Sequence, residues 1–467
     1  MDAARRREYG GSSKLQRRIQ KATSVVNPDA PLTQRDRQAG LLVVMPSVPA
    51  AVEGNKWFLD IKMVEGLELY ARFWNGPVRC LTRCADRSAI PFGREYDSGE
   101  LAFEIVAIKD DASDSGPRLK DALVLLASGD NHHDLAIGKL LSAPVIYVIE
   151  YTLSTRLRII ALDKGISIRA LKSAIWTLGI ERRRRVAFRA AAGLQANGQP
   201  AYDAYSTLSP NSISYFDSRI TKGRQISETE LLAKQQGMTA GTPLRIVFSG
   251  RLERLKGADH LIAVAKELRS LGVSFSLTIY GDGSLRTEMM AAVVAGGLSD
   301  LVHFAGAVPF DSELILRLKQ SADLFICCHR QADPSCTYLE TLSCGVPIVG
   351  YGNDAFLGVA ALGDAMVATP MNRPRAAAIA IERLHRDRPR LAFMAANAAA
   401  VGKAHAFETT FMARVEHLRR AAENSRLSLA RGGSVNLHSR LSGVSACGWP
   451  GWLSNRRSDD EANTLEP

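Results

Sequence analysis

Short apolar runs alternate with amphipathic stretches along most of the chain. In the first half, Leu41-Leu42-Val43-Val44-Met45 is typical of a buried strand, and strand-like runs VRCLTR, LAFEIVAI, ALVLLAS and VIYVIEY follow it. The pattern predicts helices at about 56–73, at 132–141 and, with a basic character, at 167–192. Strands that alternate with helices predict a parallel sheet with crossover helices.

The same alternation restarts in the second half. Residues 221–243 are polar and end in turn formers, which indicates a domain boundary. The strand-like runs LRIVFSG, FSLTIYG, VHFAGAV, DLFICCH and PIVGY then alternate with helical patterns at 258–271, 284–295, 312–320 and 337–343. The pattern predicts a second open α/β domain.

The predicted fold class is therefore α/β, with two Rossmann-like domains in series. We predict a disordered basic tail at 1–38, an N-terminal domain at 39–225, a C-terminal domain at 240–405, a closing helix at 406–424 and a disordered polar tail at 425–467. Two such domains joined once suggest a cleft with a ligand at the carboxyl ends of the strands.

Composition indicates a globular protein of the cytoplasm. Of the 467 residues, 46% are hydrophobic and 23% charged, and no apolar run reaches the length of a membrane span. The N-terminal segment is basic but lacks the apolar core of a secretory signal. Seven cysteines without metal-ligand spacing argue against both a metal site and a disulfide framework.

The net charge of +11 favours polyanionic partners. Residues 1–40 hold nine Lys/Arg against four Asp/Glu, and Arg182 to Arg185 form a second basic cluster. Both are equally compatible with ordinary solvated surface. The basic segments lack interleaved aromatic residues and no nucleic-acid motif appears, so we expect no nucleic-acid partner.

Chemistry-bearing residues in the second half follow the predicted strands. Gly250-Arg251 follows the first strand and Lys256 precedes the first helix, so two cations flank a helix N-terminus, as in a diphosphate site; the alternative is two solvated side chains. Gly281-Asp282-Gly283 and Gly306-Ala307-Val308 follow the next strands, either as close-approach sites for a ligand or as simple turns.

Glu340 stands among apolar and small residues that are typical of a half-buried segment. The loop Asp333-Pro334-Ser335-Cys336 precedes a short helix whose first N–H groups are free. Glu340, one turn inside that helix, is placed to accept hydrogen bonds from two neighbouring hydroxyls, as on a ribose. The alternative is an ion pair with an arginine or exposure to water.

The order of these motifs resembles a known family. GRLERLKGADHLI, IYGDGSL, GLSDLVHFAGAV, SADLFICC and YLETLSCGVPIVG are similar to the nucleotide-sugar domain of the retaining "glycosyl transferases group 1", or family 4. The resemblance covers about 244–420; residues 40–220 resemble the family only in architecture. It implies the GT-B fold, two Rossmann-like domains facing each other across a cleft, with a nucleotide-diphosphate sugar as donor substrate and no cofactor.

The resemblance also implies roles for individual residues. Arg251 and Lys256 would grip the donor diphosphate and stabilise the leaving group, and Glu340 would hold the ribose. The implied donor-binding set is Gly250, Gly281, Asp282, Val308, Asp333, Ser335, Cys336, Thr337, Tyr338 and Glu340. The acceptor side would contain Gly54, His132, His133 and Glu150.

Two positions depart from the family. A second glutamate often precedes the ribose-binding one, and Ala332 stands at that position here, with Asp333 one residue away as a substitute. A histidine often follows the strand VIYVIEY, which here ends in Glu150-Tyr151.

The expected function is a retaining transfer from a UDP- or GDP-sugar to a hydroxyl of a saccharide or lipid-linked acceptor, in cell-surface polysaccharide synthesis. No Asp-x-Asp motif lies in the cleft loops, so we expect metal-independent catalysis. The basic segments suggest a peripheral position on the anionic inner face of the membrane. The alternatives are a GT-B epimerase or phosphorylase, and a catalytically weakened nucleotide-sugar-binding scaffold.

Overall fold

Two compact units make up the described part of the chain. The computed structural model describes residues 40–54, 56–90, 92–108, 118–119, 121–139, 141–240, 243–332 and 334–430. The N-terminal unit contains the described residues up to 148, together with 183–194 and those from 415 onward. The C-terminal unit contains 149–182 and 195–414. The predicted tail at 1–38, and that at 425–467 beyond residue 430, lie outside the described residues.

In the part of the chain that the structure describes, ten strands lie before the predicted domain boundary: β1 Leu41–Met45, β2 Ala51–Glu53, β3 Lys56–Asp60, β4 Val78–Arg83, β5 Gly93–Asp97, β6 Glu104–Ile108, β7 Ala122–Ser128, β8 Val145–Ile149, β9 Gly193–Asn197 and β10 Ser212–Tyr215. Seven form one sheet in the order β10-β9-β8-β7-β1-β4-β6, and β2-β3-β5 form a small sheet. β1 lies parallel to β4 and β7, which confirms the predicted parallel sheet.

The thirteen α-helices of the described residues are α1 Ile61–Trp74, α2 Leu153–Lys164, α3 Ile168–Ala190, α4 Gln199–Tyr205, α5 Glu228–Thr239, α6 Ala258–Ser270, α7 Arg286–Ala295, α8 Ile315–Ser321, α9 Cys336–Ser343, α10 Asp354–Ala360, α11 Pro374–Arg386, α12 Arg388–Ala404 and α13 Phe407–Ala430. α13 includes the predicted closing helix, but it continues to residue 430, so the start of the predicted disordered tail is helical. No helix in the described ranges is long and apolar enough to cross a membrane.

The predicted helix at about 56–73 is wrong at its beginning. Residues 56–60 form β3, which pairs antiparallel with β5, and they alternate in burial, with Trp57 and Leu59 inside. The helix begins after Asp60, whose carboxylate accepts a hydrogen bond from the Met63 N–H at 2.9 Å. This N-cap and the period-two burial together end the strand and begin α1.

The basic cluster at Arg182 to Arg185 is not a uniformly solvated face. Arg184 is fully buried and donates from Nε to the Gly129 carbonyl at 2.9 Å. Its guanidinium also pairs with Asp130 at 3.0 Å and lies over the Phe188 ring. One of the four cations is therefore structural, because its hydrogen bonds and ion pair offset the cost of burying a charge.

A second parallel sheet forms the core of the C-terminal unit. Its strands are β11 Leu244–Ser249, β12 Phe275–Tyr280, β13 Val302–Gly306, β14 Leu324–Cys327, β15 Ile348–Tyr351 and β16 Met366–Thr369. Their order is β13-β12-β11-β14-β15-β16, and every neighbouring pair is parallel. Helices cover the apolar strands, as expected for a parallel sheet. This confirms the predicted second α/β domain and places all its strand ends at one edge.

The polar stretch at 221–243 contains a helix with a buried lysine. α5 begins with a capping box, in which Ser227 and Glu230 satisfy each other's backbone N–H groups. Lys234 points inward and its ammonium donates to the carbonyls of Leu318 at 2.9 Å and Ala322 at 2.6 Å. Burial lowers the pKa of Lys234 to about 8, partly opposed by nearby acidic groups.

This pKa shift predicts a pH-dependent stability. Between pH 8 and 10.5 the unfolded chain keeps the Lys234 proton and the folded chain releases it, so stability rises with pH across that window. Lys234→Met should remove about 3 kcal/mol of this rise, as measured by denaturant unfolding at successive pH values. Lys266→Met, on the exposed face of α6, is the control and should leave the slope unchanged. A pH-independent difference between wild type and Lys234→Met would contradict the prediction.

Candidate functional site

Three glycine-containing turns meet at the carboxyl edge of the C-terminal sheet. The Gly250 N–H donates to the Tyr280 carbonyl at 3.0 Å, and the Gly281 N–H donates to the Gly306 carbonyl at 2.8 Å. The Leu252 N–H donates to the Asp282 carbonyl at 2.8 Å. These backbone bonds join the ends of β11, β12 and β13 into one continuous surface.

Close approach between these turns explains two of the glycines. A Cβ on Gly281 would lie 2.0 Å from the Gly250 carbonyl oxygen, and one on Gly283 would lie 2.7 Å from the Leu252 backbone. Gly306 has φ +74° with open space around its Cβ position. Packing of one loop on another therefore already requires glycine at 281 and 283, and their contact with a donor stays a prediction.

The two predicted phosphate-binding cations lie on the turn between β11 and α6. Arg251 is exposed, and within the described residues its guanidinium has no hydrogen-bonding or ionic partner. Lys256 is half-buried and ends a 3-10 turn whose last N–H donates to the Glu253 carbonyl. The Glu253 carboxylate is directed at Ser284, accepting from its N–H and its hydroxyl at 3.1 and 2.7 Å. The turn thus presents positive charge beside the N-terminus of α6.

The loop after β14 contacts the turn that carries Arg251 and Lys256, which we call the cationic turn. The Arg330 N–H donates to the Leu255 carbonyl at 3.0 Å, and the Arg330 guanidinium pairs with Asp259 on α6 at 2.7 Å. His260 Nδ1 lies 2.8 Å from the Tyr351 hydroxyl, and burial, then Arg330, lowers the pKa of His260. A neutral imidazole at this position avoids adding charge beneath the turn.

The N-terminus of α9 lies along the same edge of the sheet. Ser335 is its N-cap but makes no capping hydrogen bond with its side chain, and the Ser335 carbonyl accepts from the Tyr338 N–H at 3.3 Å. Thr337 is half-buried, and the Cys336 thiol lies 3.6 Å from an Asp217 oxygen. Tyr338 is buried and packs on the rings of His329 and Phe356.

The remaining predicted donor residues have individual settings. Glu340 is half-buried one turn inside α9, and Val308 is half-buried after β13. Asp282 is exposed and its carboxylate accepts from the Gly283 N–H at 2.8 Å. Ala332 is buried, with its carbonyl accepting from the Thr155 hydroxyl at 3.4 Å. Asp333, the predicted substitute for a family glutamate, lies outside the described residues.

The predicted acceptor-side residues are divided between the two units. In the N-terminal unit, Gly54 lies in the hairpin between β2 and β3 with φ +62°, and His132 and His133 are exposed in the turn that follows β7. In the C-terminal unit, Glu150 follows β8 and is half-buried. Their shared role in binding an acceptor stays a prediction.

A shallow pocket beside α9 contains residues that sequence reasoning missed. It is lined by Asn197, Gly198, Phe216, Asp217, Pro334, Ser335, Tyr338, Leu339, Ala355 and Val359. The Asp217 N–H donates to the Asn197 side-chain oxygen at 3.2 Å, so these two polar residues of the lining are held together. Asp217 is 119 positions from its neighbour Cys336, so no local pattern could have joined them.

No group of three or more His, Cys, Asp or Glu within the described ranges is arranged to hold a metal ion.

Comparison with known proteins identifies the C-terminal segment. Residues 232–401 match the family model described as "Glycosyl transferases group 1", which confirms the resemblance read from the motifs. A 2-deoxystreptamine glucosyltransferase of Streptomyces kanamyceticus is 32% identical over 127 residues, covering 27% of this chain and 32% of the relative. The amylovoran biosynthesis glycosyltransferase AmsK of Erwinia amylovora is 33% identical over 106 residues, covering 23% and 24%. The chain thus matches less than a third of the length of either relative.

Solved structures establish the fold. The Anabaena protein HepE in complex with UDP aligns with a TM-score of 0.57 at 15% identity, over 82% of this chain and 99% of HepE. Its complex with UDP-glucose aligns with a TM-score of 0.55 at 14% identity, over 82% and 100%. The predicted GT-B class, with two Rossmann-like α/β domains, is confirmed.

A substitution at Gly257 tests the close contact between the turn that carries Arg251 and Lys256 and the backbone after β14. Gly257 has φ +62°, and a Cβ there would lie 1.9 Å from the Cys328 carbonyl oxygen. Gly257→Ala should therefore destabilise the fold by about 3 kcal/mol, because backbone strain and a steric clash add together. Gly272→Ala is the matched control, since Gly272 has φ +70° with open space around it, and should cost about 1 kcal/mol. Equal losses in denaturant unfolding would show that the contact with Cys328 is unimportant.

Proposed function

We propose that this chain, whose residues 232–401 belong to the glycosyl transferases group 1 family, is a retaining glycosyltransferase. It transfers a sugar from a nucleotide-diphosphate sugar to an acceptor hydroxyl. The observation that carries the proposal is the cationic turn of Arg251 and Lys256 on the same sheet edge as the N-terminus of α9 and Glu340, all within the matched segment.

The cationic turn acts on the leaving group. As the bond from sugar to diphosphate breaks, negative charge develops on the diphosphate oxygens. Arg251 and Lys256, fixed beside a helix N-terminus, stabilise that charge more than they stabilise the intact donor. The acceptor hydroxyl attacks the face that the diphosphate leaves, and a donor phosphate oxygen takes its proton, so the configuration is retained.

The α9 region binds the rest of the donor. Glu340 accepts hydrogen bonds from the two ribose hydroxyls, which a carboxylate with two oxygens can do at once. The N-terminus of α9, at Ser335 to Thr337, binds phosphate or sugar oxygens through backbone N–H groups. Backbone donors suit this role, because helix geometry fixes them before the donor arrives.

The proposed donor is a UDP-sugar, with a GDP-sugar as the second choice. The structural similarity to HepE, which was solved with UDP and with UDP-glucose, supports UDP. The acceptor is a saccharide or lipid-linked hydroxyl in cell-surface polysaccharide synthesis, and the AmsK relative in amylovoran biosynthesis supports that choice. The proposed enzyme is cytoplasmic, and its net charge of +11 supports a peripheral position on an anionic membrane.

A second candidate function is a nucleotide-sugar-binding scaffold with weakened catalysis. Buried Ala332 favours it, because an alanine supplies no carboxylate at the position where the family often has one. Such a protein would bind the donor through Arg251, Lys256 and Glu340 and would transfer nothing. Donor binding and transfer must therefore be measured separately.

Nucleotide binding is the first test of the proposal. UDP at about 100 times its Kd should stabilise the folded protein by about 2.7 kcal/mol, visible as a rise in Tm. Lys256→Ala and Glu340→Gln should remove most of the rise, because they lose a phosphate contact and the ribose contact. Lys266→Ala, an exposed lysine on α6, should keep it. If GDP or ADP raises the Tm in place of UDP, and the variants respond in the same way, the base of the donor is reassigned. If no nucleotide raises the Tm, the donor site is rejected.

Catalysis is proposed to need no metal ion. Transfer from the donor identified by binding should continue at unchanged rate in excess chelator, because Arg251 and Lys256 supply the positive charge that a metal would supply elsewhere. The measurement is transfer to a saccharide acceptor with and without chelator, while circular dichroism monitors the fold. A chelator-dependent loss of transfer that added Mg²⁺ or Mn²⁺ restores would overturn metal independence.

A further inference from the structure

The outward side of α3 carries an unusual row of exposed apolar side chains. Ile168, Leu171, Ile175 and Leu178 recur at spacings of three and four and therefore share one side of the helix. They are 76%, 61%, 61% and 51% exposed. We call these four residues the α3 stripe. Scattered exposed apolar residues are ordinary, but a continuous row on one helix marks an interaction surface.

The opposite side of α3 is packed against the protein, which holds the stripe on the outside. Thr177, Ile180 and Glu181 are buried within the C-terminal unit, and the Glu181 carboxylate accepts from the Tyr205 hydroxyl at 2.9 Å. Ile180 lies nine positions after Leu171. Nine residues are about two and a half turns, so the two side chains lie on opposite sides of the helix. Because the inner side is packed and hydrogen-bonded, the helix cannot rotate to bury the stripe.

Two further side chains extend the apolar surface. Ile166, in the turn between α2 and α3, is fully exposed, and Trp176 is half-exposed beside the stripe. Tryptophan is enriched at the headgroup level of bilayers, where its amphipathic ring contacts both water and apolar chains. The surface therefore runs from the turn along more than two turns of helix.

The exposed charged residues within 165–182 are all cations. Arg169, Lys172 and Arg182 are exposed on α3. Within 165–182, all of which the structure describes, the one acidic residue is Glu181, which is buried and hydrogen-bonded to Tyr205. The nearest exposed carboxylate before α3 in the sequence is Asp163, at the end of α2. An apolar row flanked by cations matches a surface that is negative outside and apolar beneath.

We propose that the α3 stripe docks this chain on an anionic phospholipid surface, with its Ile and Leu side chains at the acyl boundary and its cations on the headgroup phosphates. This rests on the peripheral membrane position given under the proposed function and assigns it to α3 rather than to the basic N-terminal tail. A second copy of the chain is a poorer occupant, because two stripes in contact would bring their cations together. An acidic partner protein is the competing occupant that the test must reject.

Vesicle co-sedimentation of the full chain tests the proposal. Wild type should sediment with vesicles of phosphatidylcholine mixed with phosphatidylglycerol and stay in the supernatant with phosphatidylcholine alone. Leu171→Ser/Ile175→Ser/Leu178→Ser should lower the partition coefficient by at least about tenfold, because these side chains can no longer gain from leaving water. Arg169→Gln/Lys172→Gln/Arg182→Gln should lower it by roughly a hundredfold.

Matched variants elsewhere control for general effects. Leu232→Ser/Val294→Ser/Leu316→Ser removes three exposed apolar side chains from other helices and should bind like wild type. Lys266→Gln/Arg373→Gln/Arg383→Gln removes three exposed cations outside α3 and should cost much less than the α3 charge variant. A deletion of residues 2–38 should keep most of the binding, since the stripe remains.

Three results would overturn the inference. Wild-type binding by the stripe variant would assign docking to another surface. A stripe variant that changes the oligomeric state in light scattering, while wild type ignores anionic vesicles, would make the stripe a protein interface. Failure of wild type to bind anionic vesicles while UDP still raises its Tm would remove the docking proposal and leave the proposed function standing. If the protein bound anionic vesicles but no nucleotide, the proposed function would be rejected and the docking surface would remain.

Discussion

Close backbone approach at the carboxyl edge of the C-terminal sheet is the constraint on which the candidate site depends. Hydrogen bonds from Gly250 to Tyr280 and from Gly281 to Gly306 draw three loops to within backbone contact. A Cβ at Gly257 or Gly281 would meet a carbonyl oxygen at 1.9 or 2.0 Å, so only glycine allows this arrangement. Because parallel strands end at the same edge, one set of tight turns positions every group that follows them.

The chemistry of the site follows from this shared edge. The backbone of the turn that carries Arg251 and Lys256 is held in place by Arg330, whose N–H donates to the Leu255 carbonyl and whose guanidinium pairs with Asp259. The N-terminus of α9 adds backbone donors to the same edge. Positive charge beside a helix N-terminus is an arrangement that favours a diphosphate over most other ligands, and this is the physical basis of the proposed glycosyl transfer.

Several residues have roles that the sequence pattern described incompletely. Residues 56–60 contain aromatic and charged side chains compatible with a helix, and their pairing with β5 makes them a strand. Arg184 stands among four consecutive arginines, yet Asp130 and the Gly129 carbonyl hold it inside the N-terminal unit. In α3, both sides of the helix carry apolar residues, so periodicity could not show which side is packed and which forms the stripe.

The sequence by itself determined the two α/β domains, the order of most strands and helices, and the motif series that lies mostly within residues 232–401, which the family model matches. These depend on local periodicity and on the short-range order of turns, which a linear pattern contains. Only the tertiary structure decided that Asp217 lies beside Cys336, that Gly281 is required by a neighbouring loop, and that the α3 stripe faces outward. Each of these depends on contacts between residues far apart in the chain, which no local pattern specifies.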